Sequence, residues 1–426
     1  MRNQFLIIPI ALSLLCLPAS GEGTVEFWLT KGAEEYDNGS FEEALRSFDN
    51  ATAIDPENAT IWFFRGLALS ALKRHEEAIS SYNKSIQIEE NNSDLWYARA
   101  AEEMNLGRMN DSLASYDRSL RIDPQNKFAW YNKGNLLMDW SRYDEAISCY
   151  DEAIRIDGNW SWPWYNRGRA LESLDRSEEA LQCYENATRL DPEYLKAWSQ
   201  KGTVLARLGR HEEALAAFDK AIEIDPEDMI SLSNRAQALL NLKRYEEAVE
   251  AYDDALALNP TDPGAWYYKG YALGALGRYD EALQSFEESI WISPNNPLSW
   301  YGKAMALRSL GRTQEAEAAW STYRDLSYAH ISFSENSGQS MEDAIIIMNA
   351  TGEDDGVGSE YYYLEKRFGD TVRWGDISQS LVGDDEGRYY DVLKVPLTNG
   401  ETVTIYFDIT DFYGKDIEKL LEALGL

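Results

Sequence analysis

The sequence predicts a mainly α fold, a solenoid of nine helix pairs followed by a small α+β domain. Three observations predict it. Tryptophan recurs every 34 residues from Trp28 to Trp300, with Leu232 the one exception. Small residues and aromatics stand at fixed offsets behind each tryptophan, and both patterns stop near residue 330, where strand-like runs begin. Such a period marks stacked supersecondary units.

Residues 1–21 read as a secretory signal. Arg2 is their one charge, Phe5 to Leu17 are apolar apart from Ser13, and "PASG" offers small residues for cleavage. The apolar run is short for a bilayer span. The expected location is secreted or cell-surface, with an N-terminal membrane anchor as the alternative. No later run is long and apolar enough to predict a span once the signal is removed.

Residues 22–330 hold nine tandem units. Four residues after each tryptophan position stands Gly or Ala, from Gly32 through Gly134 to Ala304. Sixteen residues on lies Ala, except Ser112, and twenty on an aromatic, from Phe48 to Trp320. Each unit reads as a helix, a break near "LGR", a second helix and a close such as "IDP". Small residues let the two backbones approach and the aromatics fill the space between units. These columns resemble the tetratricopeptide repeat (TPR) family. The resemblance implies a right-handed superhelix of antiparallel helix pairs, whose first helices line a concave groove that holds peptides or proteins.

Three residues after each tryptophan position comes a cation, from Lys31 and Arg65 to Lys303, where the family usually has Leu. The second helices supply acids at matching intervals: Asp49, Asp117, Asp151, Asp219 and Asp253. The ladder is expected to be scaffold, with aliphatic stems on apolar surface and heads paired with carboxylates.

Positions two before, one after and five after each tryptophan share a helical face, and the resemblance implies that this face points into the groove. The residue after tryptophan is aromatic in six units: Phe63, Tyr97, Tyr131, Tyr165, Tyr267 and Tyr301. Around "GNWSWPWYNRGR" the expected protein-binding groove collects Phe128, Tyr131, Asn135, Trp162, Tyr165, Asn166, Arg169 and Lys196. Asn135, Asn166 and Lys196 match three of five positions of the carboxylate clamp of some TPR proteins. Tyr131 and Gln200 stand where that clamp is basic, so a clamp is not expected.

The formal net charge is −33. It disfavours nucleic acid and anionic lipid as partners and favours a neutral or basic protein or peptide. Cys16 lies in the signal. Cys149 and Cys183 fill one slot of neighbouring units, roughly 8–10 Å apart by helix packing. That is beyond disulfide reach, so both are expected as small packing residues. N-glycosylation sequons occur at Asn38, Asn50, Asn58, Asn83, Asn91, Asn110, Asn159, Asn186 and Asn349. With the signal they point to an exported glycoprotein, and the repeat style resembles archaeal more than bacterial chains.

Residues 331–426 read as the α+β domain. "DAIIIMNA", "RYYDVLKVPL" and "ETVTIYFDIT" are predicted strands, the last two joined through Thr398-Asn399-Gly400 as a hairpin. "SEYYYLEKRFG" and "KDIEKLLEALG" are predicted helices. His330 stands at the border, no other histidine or cysteine follows it, and the acidic turns "GEDDGVG" and "GDDEGRYYD" fit no known calcium-loop spacing. The sequence therefore predicts no catalytic residues, no cofactor and no metal. The expected function is an extracytoplasmic interaction scaffold that grips a protein segment. The alternatives are a C-terminal hydrolase or ligand or calcium sensor with the repeats as targeting arm, and a structural component of the cell envelope.

Overall fold

The computed structural model describes residues 23–329, 332–333, 338–340, 344–348, 353–368, 372–383 and 388–408. The signal segment with Cys16, His330, Asn349, residues 384–387 of the "GDDEGRYYD" turn and the helix predicted near the C-terminus lie outside the described residues. The chain divides into two compact units, Met1–Ala238 and Leu239–Leu426.

In the first unit, consecutive pairs of antiparallel helices follow the 34-residue register, from Val25–Asp37 and Phe41–Ile54 onward. Several first helices open on a side-chain cap: Asn58 accepts from the Thr60 N–H, Asn92 from Asp94 and Asn126 from Ala129. Such a cap satisfies one of the orphan donors of the first turn. Between the helices of a pair one residue takes a left-handed backbone. Glycine fills this place at Gly39, Gly107 and Gly209, but Lys73, Ser141 and Asp175 adopt it at φ 57–59°. At four of these six turns the arginine that follows clasps the glutamate three residues on, as Arg74 does Glu77 at 2.7 and 2.8 Å.

The core of a pair is the aromatic twenty residues after tryptophan, laid on the glycine four residues after it. A Cβ on Gly134 would stand 2.6 Å from Tyr150 Cε1, and one on Gly202 2.5 Å from Phe218 Cε1. Phe48, Tyr82, Tyr116, Tyr150, Tyr184 and Phe218 are all buried in this way. Cys149 and Cys183 are free and buried among them.

The second unit carries the last repeats and the α+β domain. Here the helices Pro263–Ala275 and Pro297–Ser309 start on Asp262 and Asn296 caps with proline in the first turn, where a missing N–H costs nothing. The last repeat helix ends at Ser327. Five strands follow: β1 (Ser332–Phe333), β2 (Ile345–Met348), β3 (Ser378–Gly383), β4 (Tyr389–Pro396) and β5 (Thr402–Asp408). The sheet order is β1-β2-β5-β4-β3, with β2 and β5 parallel and the other pairs antiparallel. The β4–β5 hairpin turns through Asn399-Gly400, Gly400 at φ 90°. Strands β1 and β3 extend the three strands expected from sequence. The helix Glu353–Phe368 starts earlier than expected and takes in "EDDGVG" of one acidic turn. Its Leu364 packs with Ile345, Leu393, Val395, Ile405 and Phe407.

This domain docks on the last repeat helix. Arg324 pairs with Glu365 and Asp325 with Lys366, each at 2.5 Å, and the Tyr328 ring lies 5.3 Å from Tyr362. Among the described residues no helix is long and apolar enough to cross a membrane.

Candidate functional site

The cation ladder is internal bracing. Arg65 donates through Nε to Asp49 of the preceding repeat at 2.7 Å and through Nη1 to Ser81 of its own repeat at 2.7 Å. Arg167 repeats this with Asp151 at 2.7 Å and the Cys183 sulfur at 3.0 Å. Lys133–Asp117, Arg235–Asp219 and, in the second unit, Lys269–Asp253 close at 2.6–2.7 Å. Several of these cations lie over the tryptophan three residues before them, as with Arg99 over Trp96 at 4.5 Å and Arg65 over Trp62 at 5.7 Å. The tryptophans have a second role that periodicity does not display. Trp62, Trp130 and Trp198 donate from Nε1 to the carbonyls of Pro56, Pro124 and Pro192 at 2.8–3.0 Å, tying each first helix to the turn before it.

The eight residues expected on the groove separate into two groups. Tyr131, Asn135 and Asn166 are buried, not open. Asn166 Nδ2 donates to the Tyr131 hydroxyl and to Asn135 Oδ1, both at 2.9 Å, and Tyr150 donates to the same Oδ1 at 2.9 Å. The physical reason is the ring at the core of each pair. The residue after tryptophan leans over it, Tyr131 on Tyr150 at 6.0 Å and Tyr97 on Tyr116 at 6.1 Å. Phe63 and Tyr97 are buried likewise, while Tyr301 in the second unit is 40% exposed. The second group reaches the surface. Phe128, Trp162 and Tyr165 are half-buried, and Arg169 and Lys196 are exposed.

Around them the structure adds residues that the sequence reading missed. Trp160 stands 4.8 Å from the Tyr131 ring and 5.3 Å from Phe128, and Tyr194 stands 5.0 Å from Tyr165. Both occupy the slot that caps the first helix elsewhere with Asn58, Asn92, Asn126 or Asp228, and neither makes a side-chain cap bond. The signal was in the sequence as two aromatics in a column of Asn and Asp. On the same three first helices lies an open cavity of about 250 Å³ lined by Met138, Arg169, Glu172, Ser173 and Gln200. All five come from the first helices of three consecutive repeats, Lys127–Asp139, Ser161–Ser173 and Leu195–Arg207.

Burial pushes the phenols of Tyr131, Tyr165 and Tyr194 up, and the charge of Arg169 opposes that rise at all three. The guanidinium is thus within electrostatic reach of rings from three repeats. Glu172 is committed, Oε1 to Arg207 at 2.6 Å and Oε2 to the Tyr184 hydroxyl.

Of the sequons, Asn38, Asn50, Asn91, Asn110 and Asn159 are exposed and Asn58, Asn83 and Asn186 half-buried. The hydroxyls of Ser85 and Thr188 in two of them are spent inside, on the Ala59 and Tyr184 carbonyls. Among the described residues no group of three or more His, Cys, Asp or Glu side chains is placed to hold a metal.

Models described as Tetratricopeptide repeat match residues 29–93, 165–228 and 233–297, residues 128–159 and residues 93–126. No curated protein matches the chain. Among solved structures, the C-terminal part of a TPR repeat-containing protein from Cytophaga hutchinsonii is 16% identical. It covers 56% of this chain and 97% of its own at a TM-score of 0.50. YrrB, described as a TPR protein with an unusual peptide-binding site, is 22% identical and covers 44% of this chain and 97% of its own, at 0.42. MamA from Desulfovibrio magneticus RS-1 is also 22% identical and covers 40% and 96%, at 0.38. Together the family matches span more than half of the sequence, so the chain belongs to the tetratricopeptide repeat family.

Proposed function

We propose that the protein is an extracytoplasmic interaction scaffold that holds a protein or peptide segment on the first helices of repeats four to six. One observation carries this reading. Repeats five and six give up the helix cap that their neighbours keep and place Trp160 and Tyr194 there, against the groove rings Phe128, Trp162 and Tyr165. A lost cap costs about 1 kcal/mol, and departures from local rules concentrate where a protein meets its ligand. Large rings fixed by packing give contact area with little entropy left to lose on binding. The export half of the proposal rests on residues 1–21 and the sequons. The α+β domain serves as the cap of the array, held by the Arg324–Glu365 and Asp325–Lys366 pairs.

The test is affinity capture from an envelope extract by the whole chain and by a Trp162→Ala/Tyr165→Ala variant. A partner retained by the first and lost from the second supports the groove. Equal capture of every partner by both overturns it.

A further inference from the structure

Building on that groove, we propose that its ligand is anchored by one Asp or Glu side chain, whose carboxylate docks on the guanidinium of Arg169 inside an otherwise neutral or basic segment. The argument begins with which cations are spent. Arg65, Arg167 and Arg235 hold carboxylates of the preceding repeat, and Arg74, Arg142, Arg176 and Arg210 clasp their own helix. Arg207, on the next first helix, is taken by Glu172. Arg169 lines the cavity, is exposed, and has no carboxylate within ion-pairing distance among the described residues.

The one acid of the cavity does not balance it. Glu172 has a side chain only 14% exposed, with both oxygens already engaged. The fork of Arg169 therefore faces the cavity with its charge uncompensated, in a chain whose net charge is −33. A guanidinium matches a carboxylate with two parallel bonds. The Gln200 amide, across the cavity on the next repeat, makes no hydrogen bond among the described residues and supplies a further donor. Half-buried Trp162 and Tyr165 leave ring surface for the apolar residues that flank the anchor.

The same geometry selects a side-chain carboxylate over a chain terminus. Closing around a terminal carboxylate would call on the amides of Asn135 and Asn166, which are buried and bonded to Tyr131, Tyr150 and each other. A phosphate dianion would need a second cation beside the guanidinium, and the lining of the cavity holds none. The chain-wide charge and the local one thus act at different ranges. The first repels segments that are acidic throughout, and the second picks out a single acid within a segment.

The probe is an array of acetylated, amidated peptides with Glu, Gln or Lys fixed at the centre and flanking aromatics and basics varied. It is read by binding to the full chain and to its Arg169→Gln, Arg169→Glu and Trp162→Ala/Tyr165→Ala variants. Glu-centred peptides are expected to lead, to lose about tenfold on Arg169→Gln, and to yield to Lys-centred peptides on Arg169→Glu. An acidic preference unchanged by Arg169→Gln, or stronger binding by free-terminus or phosphorylated peptides, overturns the anchor. If the Trp162/Tyr165 variant loses binding that shows no acidic preference, the anchor falls and the groove stands. If no peptide binds, or if neither Trp162→Ala/Tyr165→Ala nor Arg169→Gln changes binding, both fall.

Discussion

The side-chain amide of Asn166 donates to the hydroxyl of Tyr131 at 2.9 Å, and one repeat earlier Asn132 donates to Tyr97 at 2.8 Å. The bond links the first helices of adjacent repeats inside the stack. Removing the amide takes the Asn166 donor from the buried Tyr131 hydroxyl and one of two donors from Asn135 Oδ1, which keeps the Tyr150 hydroxyl. We expect Asn166→Ala to cost about 2–3 kcal/mol, and Asn166→Ala with Tyr131→Phe to cost less than the sum of the two changes. Repeat arrays do not always unfold in one step. The measurement is therefore native-state hydrogen exchange of amides in Lys127–Asp139 and Ser161–Ser173.

The glycine beneath each core ring sets a size limit. Gly134→Leu drives four carbons into Tyr150 and should cost about 3 kcal/mol or more by denaturant unfolding. Gly134→Ala should cost about 1 kcal/mol, because Ala100 already sits fully buried in this column with Tyr116 on the facing helix. An equal effect of the two substitutions would remove the ring from the account.

Trp160→Asn separates stability from binding. It restores a cap of about 1 kcal/mol and forfeits ring contacts of similar size. Unfolding should move by less than about 1 kcal/mol, while affinity for any peptide selected on the wild-type groove falls several-fold. A large loss of stability would mean that Trp160 belongs to the core.

The α+β domain should be weakened by alkali. Glu360 on the helix and Asp391 on β4 are both buried, with no cation paired to either among the described residues, and the Gln379 amide donates to Asp391. Burial, with the Asp391 charge, pushes the Glu360 carboxyl up to about 10 from its ordinary 4.5, and Asp391 is raised as well by its own burial. The folded domain therefore keeps a proton that the unfolded chain releases above pH 4.5. Stability is complete below that pH and is lost as pH rises toward about 10, at up to about 1.4 kcal/mol per pH unit. Hydrogen exchange of β4 and β5 amides should speed up across this window, and Glu360→Gln should flatten the dependence. A flat profile in the wild type would refute the shared proton.

The two thiols should be inert in the folded protein. Burial pushes Cys149 up to about 12 and raises Cys183. Native protein at pH 7–8 should resist alkylation at both, and denaturant should expose both together.

What could be read from sequence follows from what a period can carry. The Arg167–Asp151 rung was legible because both partners recur at fixed spacing, so geometry in one repeat stands for all. The strands β2, β4 and β5 were legible as apolar runs. β3, reading Ser-Gln-Ser-Leu-Val-Gly, is too polar to stand out, and β1 is two residues long. The burial of Tyr131 and Asn166 was not legible, because helical spacing ranks residues by face and does not tell which ring a neighbouring helix lays across that face. The candidate site was half legible. Arg169 was found from its offset, while Trp160 and Tyr194 were passed over because capping slots are read for what they normally hold.

The rungs Arg65–Asp49, Lys133–Asp117, Arg167–Asp151 and Arg235–Asp219 are asymmetric, the donor supplied by one repeat and the acid by the repeat before, whereas Arg99 meets the amide of Asn83 there and pairs with Glu103 of its own helix. Lys31, in the first repeat, turns instead to Glu35 of its own helix at 3.9 Å. A cassette of 34 residues of that kind, spliced in beside its like, would arrive with a donor for its upstream neighbour and an acid for its downstream one. The array is thus built like a chain of hooks and eyes, able to gain or lose whole links during evolution without redesign of those that remain.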